Sequence, residues 1–181
     1  MTGYTALLLW LLIIPPSIDQ KESYVCLPCG YGCDKMTHDG PGTCSSCGME
    51  LVKSSTIKFK TIDFTDLCKR LQANPNLILL DMRSPEEYSN NNPSVDAFGR
   101  FKGAINISVS QLSDRMEELS SYRNAEVIVY CTHSHRSPRA SYLLSTHGFR
   151  NVSNLSIGVS YFRTHPVPSC LKNQFIEFPP R

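Results

Sequence analysis

No apolar run in these 181 residues is long enough to cross a bilayer. The longest, Ala6 to Ile14, has nine residues, where a spanning helix takes about 20. Closed by Pro15-Pro16-Ser17, it has instead the length of a secretory signal core. Residues 1–17 are therefore expected to be a signal peptide or an N-terminal tether. The expected location is outside the cytoplasm, in the periplasm, or the cytoplasm if this stretch is not a signal. Met1 to Thr5 lack Lys and Arg, which counts against a signal, and no Cys follows the run closely, which argues against a lipid-anchored start. Membrane association is expected through this N-terminus only. Charge excess is also missing: the formal net charge is +2, with Lys and Arg scattered rather than striped. That removes nucleic acid as an expected partner and leaves a small molecule.

Cysteine is abundant but not spread as a chain-wide disulfide framework. Five of the eight lie between Cys26 and Cys47, in a segment, Tyr24 to Lys53, with almost no apolar core of its own. So short a segment cannot fold on burial alone, and a metal ion or disulfides must supply the difference. Cys26-x2-Cys29 and Cys44-x2-Cys47 are chelating pairs, each followed by a Gly that lets backbone N–H groups turn towards sulfur. Cys26, Cys29, Cys44 and Cys47 are the expected ligands of zinc or another soft or borderline ion, copper included, with Cys33 and His38 as additional or alternative ligands. Disulfides are the competing reading in an oxidising compartment, though five Cys leave one over. The segment resembles the small heavy-metal-binding domain of bacterial metal-transport and metal-resistance proteins. Tyr24, Cys26, Gly40 to Gly42, and Cys44 to Leu51 carry that resemblance, while Leu27-Pro28-Cys29 stands where many members have Met-His.

After a short linker at Ser54-Ser55, strands and helices alternate. Ile57 to Lys60 reads as a strand. Asp63 caps a helix whose Phe64, Leu67, Cys68 and Leu71 share one face, which makes Cys68 a small core residue. Leu77 to Leu80 reads as a buried strand ending at Asp81, and Ser84-Pro85-Glu86-Glu87 as a capping box. Gly103 to Ile107 is a third strand, Ser110 to Leu119 a helix, and Val152 to Leu155 a last strand. The Pro-containing tail from Thr164 is expected to be extended cover or disordered, with no role for Cys170. The fold class is α/β, a mostly parallel sheet flanked by helices, with a small N-terminal Cys-rich metal-binding domain. The expected units are residues 24–53, 57–163 and a tail at 164–181.

The chemistry concentrates in Glu126 to Phe149. Val127, Ile128, Val129 and Tyr130 form an unbroken apolar run, the pattern of a central strand covered on both faces. Cys131 ends it, four residues follow, then Arg136, then Ser137-Pro138 as the start of a helix that Gly148 stops. A thiol there faces loop N–H groups, the positive end of a helix and a guanidinium, all of which favour thiolate. Cys131 is the expected nucleophile.

Here the chain resembles the rhodanese (sulfurtransferase) family, whose active loop is a Cys followed by four residues and an Arg. LILLDMRSPEEY, GRFKGAINI, VIVYCTHSHRS and HGFRNVSNLSIG match in order and spacing, from about Lys58 to Phe162. Arg100-Phe101 replaces the family's usual His-Ile, and Ile157-Gly158 its Gly-Gly. Phosphatases of this fold place five residues before the Arg, so four favour sulfur. The resemblance implies transfer of sulfane sulfur from thiosulfate or a persulfide to a thiol or cyanide through a Cys131 persulfide, with no cofactor for that step. It casts Arg136 and the loop from Thr132 through His133, Ser134 and His135 as the anion cradle, and Asp81 and Arg83 as loop support. Ser134 stands where many relatives have Gly, a source of strain if φ is positive there. Cys131-x-His133-x-His135 could alternatively form a soft metal site. The competing functions are a metal-binding or resistance protein whose rhodanese unit only binds, and a Cys-dependent phosphatase or arsenate reductase.

Overall fold

The computed structural model describes residues 22–29 and 32–178, so the expected signal or tether at 1–17 lies outside the described residues. The elements are β1 (Tyr24–Cys26), β2 (Thr37–His38), β3 (Leu51–Lys53), β4 (Lys60–Ile62), α1 (Phe64–Ala73), β5 (Ile78–Asp81), α2 (Pro85–Ser89), β6 (Arg100–Phe101), β7 (Ile105–Asn106), β8 (Glu126–Tyr130), α3 (Arg136–Thr146), β9 (Asn151–Leu155) and β10 (Phe175–Ile176). A five-stranded sheet runs in the order β4-β9-β8-β5-β7 with every pairing parallel. β8 is its middle strand. Val127 to Tyr130 are all buried, and they alternate between two cores, Val127 and Val129 on one face, Ile128 and Tyr130 on the other. An unbroken apolar strand is what a sheet covered on both faces demands.

The two faces have different covers. Ile128 and Tyr130 pack with Phe64 and Leu67 of α1 and with Val167, Leu171 and Phe175 of the C-terminal tail. Of the two forms expected for the tail, extended cover or disorder, it takes the first: it packs on this face, and β10 pairs antiparallel with β6, Phe175 opposite Phe101. Cys68 is not a free core thiol. It forms a disulfide with Cys170, 102 residues away, which ties α1 to the tail and gives Cys170 a role. The opposite face packs Ala140 and Leu144 of α3, and this core runs on without a break into Cys26, Leu27, Cys29, Cys33, Cys44, Met49 and Leu51. The Cys-rich unit is thus docked on the α3 side of the sheet, sharing its core, and does not hang from a linker. Thr56 Oγ1 and the Tyr142 hydroxyl of α3 lie 2.9 Å apart across this junction.

Local caps behave as read. Asp63 accepts from the Asp66 N–H, and Ser84 and Glu87 form a reciprocal capping box on α2. Some bounds move. The first strand of the main sheet is Lys60–Ile62, the strand expected at 103–107 shrinks to β7, and the helix expected at Ser110 to Leu119 is a 3-10 turn over Met116–Tyr122.

Candidate functional site

Cys131 leaves the C-terminal end of β8 and is 1% exposed. The loop after it folds back under the chain that follows β9: the Val159 N–H donates to the Cys131 carbonyl at 3.0 Å and the Ser160 N–H to the Thr132 carbonyl at 3.0 Å. Gly158 makes that approach, with φ of 71°, and a Cβ there would stand 2.3 Å from the Cys131 oxygen and 2.5 Å from that of Thr132. The second of the two positions where the family carries Gly-Gly is thus held by geometry. The first is Ile157, which is exposed and carries φ of 66°. Ser134 has φ of 57°, the strained conformation anticipated for a Cβ at that position, at a cost of about 1 kcal/mol.

α3 starts at Arg136, with His135 at the cap position and no side-chain capping bond to the helix. Ser137 is not a cap, as its sequence position suggested. It lies inside the first turn, buried, with its Oγ 3.4 Å from the Cys131 sulfur. A hydroxyl so placed can donate to a thiolate.

Arg136 is held by a residue that sequence reasoning did not place in the site. Both of its terminal nitrogens donate to the Glu87 carboxylate, Nη2 at 2.8 Å, and Thr132 Oγ1 donates to the same group at 2.8 Å. Burial raises the Glu87 pKa, but Arg136, the Ser84 N–H and Thr132 outweigh it, leaving about 2. Glu87 therefore stays ionised and cancels the guanidinium's charge while anchoring the loop. In the sequence it reads only as the acidic half of the α2 capping box, six residues past the end of β5. Arg136 also lies against the Cys131 sulfur.

The other expected site residues separate into three groups. Thr132 and Ser134 are buried, their hydroxyls committed to Glu87 and to Asn154 Nδ2 (3.3 Å), which leaves the cradle expected of them to their backbone N–H groups. His133 and His135 point outward. Burial, the Arg136 cation and His135 lower the His133 pKa, which keeps it neutral at neutral pH. His133 rests edge-on against Phe98, which lines a cavity of about 380 Å³ with Phe162, Arg163 and Phe178. Asp81 and Arg83 are buried and paired, Nη2 to Oδ2 at 2.6 Å. Arg83 also holds the Gly99 carbonyl and faces the Tyr130 ring, so this pair braces the strand ends rather than the loop from 131 to 136. The loop support expected of it comes from Glu87.

In the Cys-rich unit the sulfurs of Cys26, Cys29, Cys33 and Cys47 lie within 4.8 Å of one another, the one set of three or more such ligands among the described residues. Four thiolates around Zn²⁺ at about 2.3 Å sit about 3.8 Å apart, and the separations Cys26–Cys47, Cys29–Cys33 and Cys33–Cys26 are 3.2, 3.5 and 4.0 Å. The donor set fits a tetrahedral ion. Cys33 takes the place expected for Cys44, and His38 and Cys131-x-His133-x-His135 are outside the set. Cys44 sits on the turn 44–48, where the N–H groups of Cys47 and Ser46 point at its sulfur and lower its pKa to about 7, which favours thiolate there. It is buried and interacts with Cys26, Cys33 and Cys47 as a fifth thiol beside the set. Burial and then the neighbouring thiols push Cys33 up to about 12 and Cys26 higher still. All five are thiols, not disulfides. Crowded thiols with raised pKa values are the state that a cation at their centre reverses.

The comparisons with known proteins match this geometry. A tRNA uridine(34) hydroxylase from Buchnera aphidicola is 33% identical over 90 residues, 48% of this chain and 26% of the hydroxylase. A sulfurtransferase from Allochromatium vinosum is 28% identical over 107 residues, 59% of this chain and 91% of that protein. The chain therefore spans about a quarter of the first relative and most of the second. Among solved structures, a Rhodopseudomonas palustris protein of unknown function, described as a possible tyrosine phosphatase, has a TM-score of 0.50 at 16% identity, covering 61% of this chain and 83% of that one; it shares the fold. The rhodanese-like domain model matches residues 64–165, from the first turn of α1 through the Cys131 loop to the chain that closes over it, and with more than half of its residues in that match the chain belongs to the rhodanese-like family.

Proposed function

We propose that the chain is a sulfurtransferase with a metal-binding module. The observation that carries this reading is the loop of four residues between Cys131, at the end of the middle strand, and Arg136, closed over by Gly158 and anchored by Glu87. The Cys131 thiolate attacks the outer sulfur of thiosulfate; the new S–S bond forms a Cys131 persulfide as the old one breaks and sulfite leaves. Cyanide or a thiolate then attacks the terminal sulfur, forms thiocyanate or a new persulfide, and returns the Cys131 thiolate. Loop N–H groups hold the anion in both steps, and Ser137 donates to sulfur. Because Glu87 offsets Arg136, the site carries less positive charge than an unpaired guanidinium would give, which favours a monoanionic persulfide donor over dianionic thiosulfate.

Zn²⁺ is the ion proposed for Cys26, Cys29, Cys33 and Cys47, with Cu⁺ as the softer alternative. It would neutralise the thiolates and tie β1 to the turn 44–48. Export to the periplasm is the proposed location, supported by the Cys68–Cys170 disulfide, which persists in oxidising compartments. The test uses the purified whole chain. Incubation with a persulfide or thiosulfate should add 32 Da to Cys131, roughly one sulfur, and cyanide should discharge it as thiocyanate. Cys131→Ser should abolish both and keep the fold. Turnover by the Ser variant, or aryl phosphate hydrolysis at a rate matching sulfur transfer, would reject the proposal.

A further inference from the structure

Asn154 bonds to both functional parts. It lies on β9 beside Val129 of the middle strand and is 0% exposed. Its Nδ2 donates to the Pro28 carbonyl at 3.3 Å and to Ser134 Oγ at 3.3 Å. The amide orientation follows from these partners, since Pro28 offers a carbonyl, which only an N–H can meet. Its Oδ1 is buried without a hydrogen-bond partner, so burial of this amide is offset only by those two bonds.

Each partner is poised to respond. Pro28 lies between Cys26 and Cys29, two members of the four-thiol set, so an ion bound by both sulfurs fixes the peptide that carries its carbonyl. Ser134 lies three residues after Cys131 with φ of 57°, a conformation that persists for a non-Gly residue only where its surroundings hold it. Asn154 is one of the groups that hold it, and Pro28 holds Asn154. The shared core between the Cys-rich unit and β8 keeps this chain of contacts dry.

We infer that Asn154 is a positioning residue through which loading of the Cys26, Cys29, Cys33 and Cys47 set braces the Cys131 loop. The inference rests on the proposed metal binding and sulfur transfer. With the ion in place, the Pro28 carbonyl stays on Asn154, Ser134 stays in its strained conformation and Cys131 stays buried. Without it, the carbonyl is released, the loop relaxes and the thiol becomes accessible while its cradle of N–H groups disperses.

The test compares the whole chain loaded with Zn²⁺ and stripped by a chelator, the loading checked by native mass spectrometry. The first readout is the rate at which brief iodoacetamide exposure alkylates Cys131, mapped on its own peptide; the second is kcat for thiosulfate and cyanide. Stripping should speed Cys131 alkylation about fivefold and lower kcat. Asn154→Ala should alkylate at the fast rate with or without Zn²⁺. Ser134→Ala, which removes the hydroxyl but keeps the Cβ, should do the same and serves if Asn154→Ala fails to fold. An equal alkylation rate in the two wild-type states, or a Zn²⁺ effect that survives in both variants, overturns the inference. Zn²⁺ that is not retained overturns the metal-binding reading and the inference with it. Zn²⁺-dependent alkylation in a chain that transfers no sulfur leaves the brace standing and rejects only the sulfur-transfer reading.

Discussion

Glu87→Gln removes the charge that anchors the Cys131 loop while leaving the size of the side chain unchanged. In the folded protein its pKa falls from 4.5 to about 2. At roughly 1.36 kcal/mol per unit, that drop corresponds to about 3 kcal/mol of stability. The pair is sheltered, with the Glu87 side chain 11% exposed, so solvent screening removes little of it. The sign is that of a depressed carboxylate: the stabilisation is complete above pH 4.5 or so and is lost as pH falls from there through 2. The amide also presents an N–H to a guanidinium that has no acceptor, which adds to the cost. In a chain of this size each kcal/mol moves Tm by about 2–4 °C, so the variant should melt about 6–12 °C lower at pH 7. Thermal melts of both proteins between pH 7 and pH 2.5 would show the gap narrowing below pH 4.5. A gap that is already small at pH 7, or one that does not change with pH, would refute the reasoning, because the ion pair would then not be the source of the stabilisation.

Gly158→Ala should cut sulfur-transfer turnover by about 10²-fold and lower Tm, since its Cβ would meet the Cys131 carbonyl at 2.3 Å and displace the reacting thiol; wild-type kinetics would mean the loop closure seen here is not needed. Replacing Cys68 and Cys170 together by Ser should cost about 4.7 kcal/mol in urea unfolding, the chain-entropy value for a bridge that closes 102 residues, and a loss under about 1 kcal/mol, a small fraction of this, would mean the tail is held by packing alone. Cys33→Ser should weaken Zn²⁺ binding more than Cys44→Ser, measured by competition with a chromophoric chelator, because Cys33 belongs to the mutually close set and Cys44 lies outside it; the reverse order would put Cys44 among the ligands.

What the sequence determined by itself was everything carried by neighbouring residues. The apolar run from Val127 to Tyr130 required a middle strand, because only a strand covered on both faces tolerates no polar side. Cys131 and Arg136 were readable because strand end, loop and helix start follow within ten residues, and the caps at Asp63 and Ser84 bond to atoms three positions away. Even the strain at Ser134 was legible, since it depends on that residue's own Cβ. Only the tertiary structure decided what lies between distant positions. Cys68 on an apolar helical face has the same pattern whether it packs as a thiol or bonds to Cys170, because the stripe says which way a side chain points and not what it meets. Glu87 looked like a completed capping box; that its second side faces Arg136, 49 residues on, follows from β5 and β8 being adjacent in the sheet. Cys33 joins Cys26, Cys29 and Cys47 in one mutually close set because the fold brings its sulfur to theirs, which spacing alone does not specify. The docking of the Cys-rich unit through Pro28 and Asn154 joins residues 126 apart in the chain, and nothing local in either residue marks the contact.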